Sequence, residues 1–292
     1  MLNGKSFYLL HSIWQWLSSN ITKDIIITKD IIITKDIIKL NFLVRYYTVI
    51  YIITYTKLTM ALIFSIEGNI GSGKSTLVNL LKQYIPSICD KDIIYLQEPV
   101  NVWNEIKDKQ GISILEKFYA DQNKYAFSFQ MMAYISRLHL IKQAVVNHPN
   151  SIIITERCVF TDREIFAKML YDNGKIEEIN YKIYLQWFDE FIKDVPITGF
   201  IYVKTTPEKS KTRVDFRARQ GENIPLSYLQ KCHLYHEKWF NSINRMNKIV
   251  LDGNIEFKNG FPGDWLPNIV KFIKHFIVSN VATTYHHNVH YC

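Results

Sequence analysis

The segment Gly68–Ser75, GNIGSGKS, constrains this chain more than any other feature. It has the form G-x-x-x-x-G-K-[ST], and its flanks supply the setting that form requires. Before it, Leu62–Glu67 (LIFSIE) is a short apolar run that reads as a buried parallel strand, and after it TLVNLLKQYI has helical spacing. Glycines let consecutive backbone N–H groups turn toward phosphate oxygens, and the N-terminus of the following helix adds the positive end of its dipole. Gly68, Asn69, Ile70, Gly71, Ser72 and Gly73, with Thr76 just beyond, are the expected phosphate cradle. Lys74 can reach the β- and γ-phosphates, and the Ser75 hydroxyl can ligate Mg²⁺. In this strand–loop–helix context a chance glycine-rich turn is a poor account, and a nucleoside triphosphate is the implied ligand.

The length of 292 residues suits one large α/β domain or two small ones. Apolar residues at 48% and charged residues at 21% exclude wholesale disorder. A net charge of +8 suggests a polyanionic partner, but its location matters. The first 59 residues hold seven basic and three acidic side chains, whereas the other 233 hold 28 and 24. That leading piece contains ITKDII three times in succession, Ile21 to Ile38. The repeat matches neither a heptad nor a solenoid unit, so 1–59 reads as a low-complexity extension, disordered or not native, ahead of a start at Met60. A single nucleotide-binding domain is expected over 60–280 and a flexible tail over 281–292, whose His286, His287, His290 and Cys292 read as a frayed end rather than a metal site. Phe42–Tyr55 is too short to span a bilayer, and the leader is too acidic and too poor in arginine for an import signal. The four cysteines show no C-x-x-C spacing. A cytoplasmic, reducing location is therefore expected, with a mitochondrial one the weaker alternative.

Four further strands follow, the first two ending in residues with chemistry. Ile93–Gln97 runs into Glu98-Pro99; proline ends the ladder, so Glu98 sits at a strand end, where open α/β sheets bind ligands. A carboxylate there can take a proton from an attacking hydroxyl, although alone it reads as a solvated loop residue. Ser151–Thr155 runs into Glu156-Arg157, the form of a Walker B element in which Glu156 joins Ser75 in holding Mg²⁺. Gly199–Lys204 and Lys248–Asp252 complete the set. Arg213, Arg217 and Arg219 follow the fourth strand on a helix-to-loop stretch. In isolation they would be a solvated face; behind a phosphate loop they suit a lid that clamps the transferred phosphoryl group. A GTPase would need a guanine-reading N/T-K-x-D loop, and an AAA-type motor a larger chain. Small-molecule kinases remain.

Together EGNIGSGKS, the QEPV segment, FSFQ, ER-x-V-F-x-D-R and RVDFRARQGENIPLSYL resemble, in one order, the deoxynucleoside kinase family, on its deoxycytidine/deoxyguanosine kinase side. The resemblance covers about Leu62 to Ile277. It implies an α/β P-loop kinase with a five-stranded parallel sheet, helices on both faces and an arginine-rich lid, assembled as a homodimer. The implied reaction is ATP-dependent, or other NTP-dependent, phosphorylation of a deoxynucleoside 5′-hydroxyl in nucleotide salvage. By the resemblance Glu98 is the general base, Arg157 steadies the hydroxyl and the incoming phosphate, and Tyr119 and Glu222 hold the 3′-hydroxyl. Gln130 reads the base edge between Phe129, Phe166 and Trp103, and Glu256-Phe257 surrounds the donor base. Without the resemblance, the aromatics of the helical stretch Tyr119–Leu140 would read as core and Gln130 as surface.

Ala133, Arg137 and Asp162 occupy positions that separate members of the family. The charged pair resembles the deoxycytidine and purine kinases, so thymidine is expected to be the poorer substrate. Three departures stand out: Cys158 replaces a usual serine, Phe118 a common methionine and Tyr125 a common tryptophan. Two other classes fit less well. A nucleoside monophosphate kinase would need extra cations for the acceptor phosphate. A nucleic-acid-binding protein fits poorly, because little net charge remains outside the leader. Neither a nucleic acid nor a membrane is an expected partner.

Overall fold

The computed structural model describes residues 61–219, 222–256 and 260–289. The extension 1–59, Phe257 and the side chains of His286, His287, His290 and Cys292 lie outside the described residues.

The sheet contains β1 (Leu62–Glu67), β2 (Ser87–Ile88), β3 (Lys91–Leu96), β4 (Ile152–Glu156), β5 (Gly199–Lys204) and β6 (Lys248–Asp252), in the order β2-β3-β4-β1-β5-β6. Five of these are the predicted parallel strands, with β1 at the centre between β4 and β5. The sixth, two-residue β2, pairs antiparallel with β3 and was not expected. Its cause is local. Cys89 and Asp90 both take positive φ, 49° and 58°, making the tight hairpin turn that usually calls for Asn-Gly.

Helices cover both faces, which is why the central strands are continuously apolar rather than alternating. On one face Phe64, Ile66 and Ile154 pack against α1 (Lys74–Tyr84) and, through Ile269, Phe272 and Ile273, against the C-terminal helix Trp265–Val289. The backbone of that helix continues past residue 281, where the tail was expected to begin. On the opposite face Ile63 and Ile153 meet Tyr134, Leu138 and Ile141, together with Tyr184 and Phe188 of the helix Glu178–Phe191.

Between β3 and β4 come α2 (Val100–Glu105), α3 (Ile114–Ala120) and α4 (Gln122–Asn147). The single helical stretch expected from Tyr119 is thus two helices. Asp121 breaks it, with φ −147° and a carboxylate that accepts the Lys124 N–H, and so starts α4 as its N-cap. After β4 the chain coils from Val159 to Asp172, and its middle turn, Asp162–Ala167, is π-helical. α5 (Glu178–Phe191) precedes β5; α6 (Pro207–Arg217) and α7 (Leu226–Ser242) follow it, and α8 (Trp265–Val289) closes the chain. No helix among the described residues is long and apolar enough to cross a membrane.

Candidate active site

The carboxyl ends of β1, β3 and β4 open into a cleft of about 670 Å³. At its floor the phosphate loop takes a conformation only its glycines permit. Gly68 and Gly71 have φ of 149° and 76°, and a Cβ on either would fall 2.5 Å from a backbone oxygen, of Val203 and Ser210 respectively. Ile70, Gly71, Gly73, Lys74, Ser75 and Thr76 line the cleft, whereas Asn69 and Ser72 are buried beneath it. Asn69 anchors the loop to α7 by donating to the Leu229 carbonyl at 2.9 Å. Lys74 Nζ donates to the Asn69 carbonyl at 2.7 Å. Burial, aided by Arg157 and opposed by Glu156, Glu98 and Glu67, pushes the Lys74 ammonium down to about 7.

The Ser75 hydroxyl donates to Glu156 Oε1 at 2.6 Å, so β4 and the loop bring these two oxygen groups together. Such hard oxygen donors beside a phosphate loop suit Mg²⁺.

Beside this end of the cleft lies a knot of charge. Arg137 of α4 is 2% exposed and forks onto Asp162, Nε to Oδ2 at 2.9 Å and Nη2 to Oδ1 at 3.2 Å. The same Nη2 donates to Glu98 Oε1 at 3.0 Å, and Arg157 Nε lies 3.4 Å from that oxygen. Burial would raise the Glu98 pKa, but Arg157, Arg137 and Lys74 outweigh it and hold the carboxyl below its ordinary value. For Asp162 burial wins over Arg137, and its carboxyl is raised. Arg157 Nε and Nη1 and Arg137 Nη1 are buried without a hydrogen-bond partner.

The apolar end of the cleft is aromatic. Phe129 stacks on Phe118 with centroids 4.4 Å apart and meets the edge of Trp103 at 5.5 Å. Trp103 Nε1 donates to the Ser136 hydroxyl at 2.9 Å, and Arg157 sits over the Phe166 ring at 5.0 Å. Gln130, which alone read as surface, is 2% exposed, and its Oε1 has no partner. Ala133 lies between Gln130 and Arg137 on α4 and leaves the wall open. The π-helical turn sets both Asp162 and Phe166 toward the cleft, a placement sequence periodicity does not anticipate.

Tyr119 and Glu222 close one side. Burial first, then Glu222, raises the Tyr119 hydroxyl, so it stays protonated and can donate. Glu222 pairs with Arg217 and lies 3.7 Å from Arg219. Arg213 instead spans the carbonyls of Ser72, Gly253 and Ile255 at 3.2, 2.8 and 3.2 Å, tying the phosphate loop to the segment after β6. Glu256, at the cleft edge, pairs with Lys209. Sequence reasoning did not assign Phe216, which is 93% exposed on α6, or Tyr228 on α7, although both line the cleft. Tyr228 stands inside the quoted lid motif, and that was its one available signal.

A phosphate loop at the central strand of a parallel sheet, with carboxylates and unpaired guanidinium donors converging beside an aromatic slot, defines a P-loop phosphotransferase for a small aromatic acceptor. Comparison with known proteins narrows this class. The deoxynucleoside kinase family model matches residues 64–276, and the chain belongs to that family. It is 32% identical to deoxycytidine kinase of Rattus norvegicus, over 73% of this chain and 90% of the relative. A probable deoxycytidine kinase of fowlpox virus (strain NVSL) is 35% identical over 73% and 89%, and a mitochondrial deoxyguanosine kinase of Xenopus laevis 30% over 71% and 87%. The chain is thus a kinase that phosphorylates deoxynucleosides for salvage, using a nucleotide as phosphate donor.

Proposed function

We propose that the enzyme transfers the terminal phosphoryl of ATP to the 5′-hydroxyl of deoxycytidine, deoxyadenosine and deoxyguanosine in preference to thymidine. The observation that carries this reading is the buried Arg137–Asp162 fork beside Gln130 and small Ala133. A fixed guanidinium–carboxylate pair offers donors and acceptors to exocyclic amino and carbonyl groups, and it leaves no apolar niche for the thymine methyl. Gln130 supplies an amide edge whose Oε1 has no protein partner, and Phe129 and Phe166 supply flat walls.

In this reading Glu98, ionised, accepts the 5′-hydroxyl proton, while Arg157 turns its free Nη1 toward the entering phosphoryl group. Tyr119 and Glu222 hold the 3′-hydroxyl. Lys74 and the loop N–H groups bind the donor phosphates, Arg217 and Arg219 swing from Glu222 onto the transferred group, and Arg213 with Glu256 frames the donor base. Ser75 and Glu156 would hold Mg²⁺, which when bound neutralises phosphate charge. In-line positioning and cationic stabilisation suffice for this chemistry.

Transfer of ³²P from [γ-³²P]ATP to each of the four deoxynucleosides tests the reading. A higher kcat/KM for thymidine than for deoxycytidine would sink the preference, and full activity in Glu98→Gln would remove the base.

A homodimer formed through a helix pair is part of the proposal. Ile179, Ile183 and Trp187, spaced by four on α5, are 62%, 39% and 44% exposed, an apolar stripe suited to a second copy. Sedimentation should give a dimer that Trp187→Glu dissociates; a wild-type monomer would refute it. A reducing cytoplasmic setting suits Cys89, Cys158 and Cys232, all free thiols. Recovery of the enzyme in an organelle fraction would contradict that location.

A further inference from the structure

Glu67 ends β1, immediately before the first glycine of the phosphate loop, and is wholly buried. The phosphate-binding motif begins one residue later and needs no acid at this point. A carboxylate removed from water must be met by donors or cations. Here the Ser65 hydroxyl donates to Oε1 at 2.6 Å, the Cys158 backbone N–H donates to the same oxygen at 3.0 Å, and the Thr161 hydroxyl donates to Oε2 at 2.5 Å. Among the described residues no cation lies within ion-pairing distance of it. One donor belongs to β1; the other two belong to the turn after β4.

That turn carries Arg157, whose φ of 63° is unusual for a residue with a side chain. Such a conformation persists only where its surroundings hold it. Three hydrogen bonds do so. The Arg157 N–H donates to the Ile66 carbonyl at 3.0 Å, the Thr155 hydroxyl donates to the Arg157 carbonyl at 2.8 Å, and the next N–H, that of Cys158, donates to Glu67. The peptide groups on both sides of Arg157 are thereby fixed. Its guanidinium is directed over Phe166 and against Glu98.

We propose that Glu67 is a positioning residue for phosphoryl transfer: its carboxylate clamps the Arg157–Cys158 peptide to the base of the phosphate loop and so keeps the Arg157 guanidinium in register with Glu98. The inference rests on the role given to Arg157 above. Its chemistry is specific. The Cys158 N–H can only donate, so residue 67 must present an acceptor there. Glutamine can do so, turning its amide NH₂ toward a Thr161 hydroxyl rotated to accept. Methionine fills similar volume, offers no comparable acceptor and frees the turn.

The test is a double-mutant cycle. Glu67→Met and Glu67→Gln are made in the wild type and in Arg157→Lys, with kcat and KM measured for deoxycytidine and thermal melting used to follow the fold. Glu67→Met is expected to lower kcat about 10²-fold, the loss that misplacing a catalytic group by about 1 Å can cause, with donor KM little changed. Glu67→Gln should stay within about tenfold of wild type, and Glu67→Met should lower kcat no more than about threefold further in Arg157→Lys. Wild-type kcat in Glu67→Met, or an equal loss in both backgrounds, overturns the inference while leaving the role of Arg157 intact. Full activity in Arg157→Lys would instead overturn that role. Should Glu67→Met not fold, Thr161→Val removes one anchor of the carboxylate and carries the same cycle. A kcat loss that disappears in Arg157→Lys supports the proposal, and an equal or absent loss refutes it.

Discussion

Arg137 Nη2 lies 3.0 Å from Glu98 Oε1, and the same nitrogen joins Nε in the fork onto Asp162. One side chain therefore joins the part of the cleft proposed to read the base to the carboxylate proposed to accept the 5′-hydroxyl proton. On that proposal recognition and reactivity share a charge, so a change made to alter substrate preference also alters the base.

The pH profile should display that sharing. The Glu98 carboxyl is held below its ordinary value, so its ionised, proton-accepting form is present at and above that value and is lost only as pH falls through the lowered folded pKa. The acid limb of kcat/KM for deoxycytidine is expected below about pH 4.3, the unperturbed glutamate value. Arg137→Met removes one of the opposing cations and leaves burial to push the other way, so the limb should move to higher pH. A limb that does not move in Arg137→Met would show that Arg157 and Lys74 alone set it.

Stability should depend on the Arg137–Asp162 pair as a unit. Both side chains are nearly inaccessible, so removing one leaves the other's charge buried with too few partners. Asp162→Ala is expected to lose about 3 kcal/mol in urea unfolding, whereas Arg137→Met/Asp162→Ala should lose less than the single variant. A double variant less stable than the single one would contradict this.

The boundary between what sequence disclosed and what it hid follows physical lines. β1, the phosphate loop and α1 were legible because strand, glycines and helix each carry a local signature, and three of the five parallel strands, Leu62–Glu67, Gly199–Lys204 and Lys248–Asp252, begin and end where their apolar runs predict. The β2–β3 hairpin was not legible, because Cys89-Asp90 lacks the residues that advertise such a turn. The burial of Gln130 depends on the packing of α3 against α4, and the inward aim of both Asp162 and Phe166 depends on a π turn; neither has a period that a single sequence reveals. Glu67 was passed over because it read as the last residue of a strand. Its real signal was two polar residues, Ser65 and Glu67, on one face of an otherwise apolar run.

Metal dependence should respond to the hydroxyl of Ser75, which now bonds Glu156 at 2.6 Å. In Ser75→Ala one of the two oxygen ligands proposed for Mg²⁺ is gone and the other loses its orienting partner. The free Mg²⁺ concentration giving half-maximal rate is expected to rise at least about tenfold, with the deoxynucleoside KM little changed. An unchanged Mg²⁺ titration would assign the metal to other ligands.

Ala218 caps α6 in the left-handed region, φ 46° and ψ 45°, with Arg217 before it and Arg219 after it. A Cβ in that region costs about 1 kcal/mol, which glycine avoids at the expense of extra freedom in the unfolded chain. Ala218→Gly should therefore keep kcat within about twofold and stabilise the α6 terminus by up to about 0.5 kcal/mol, read as slower amide exchange in its last turn. Ala218→Val adds a β-branched side chain where φ is positive and should shift the chain toward extended geometry. That carries Arg219 away from Glu222, and kcat should fall about tenfold or more while unliganded stability drops by about 1 kcal/mol. Equal kcat in the glycine and valine variants would show that the lid arginines do not depend on this turn.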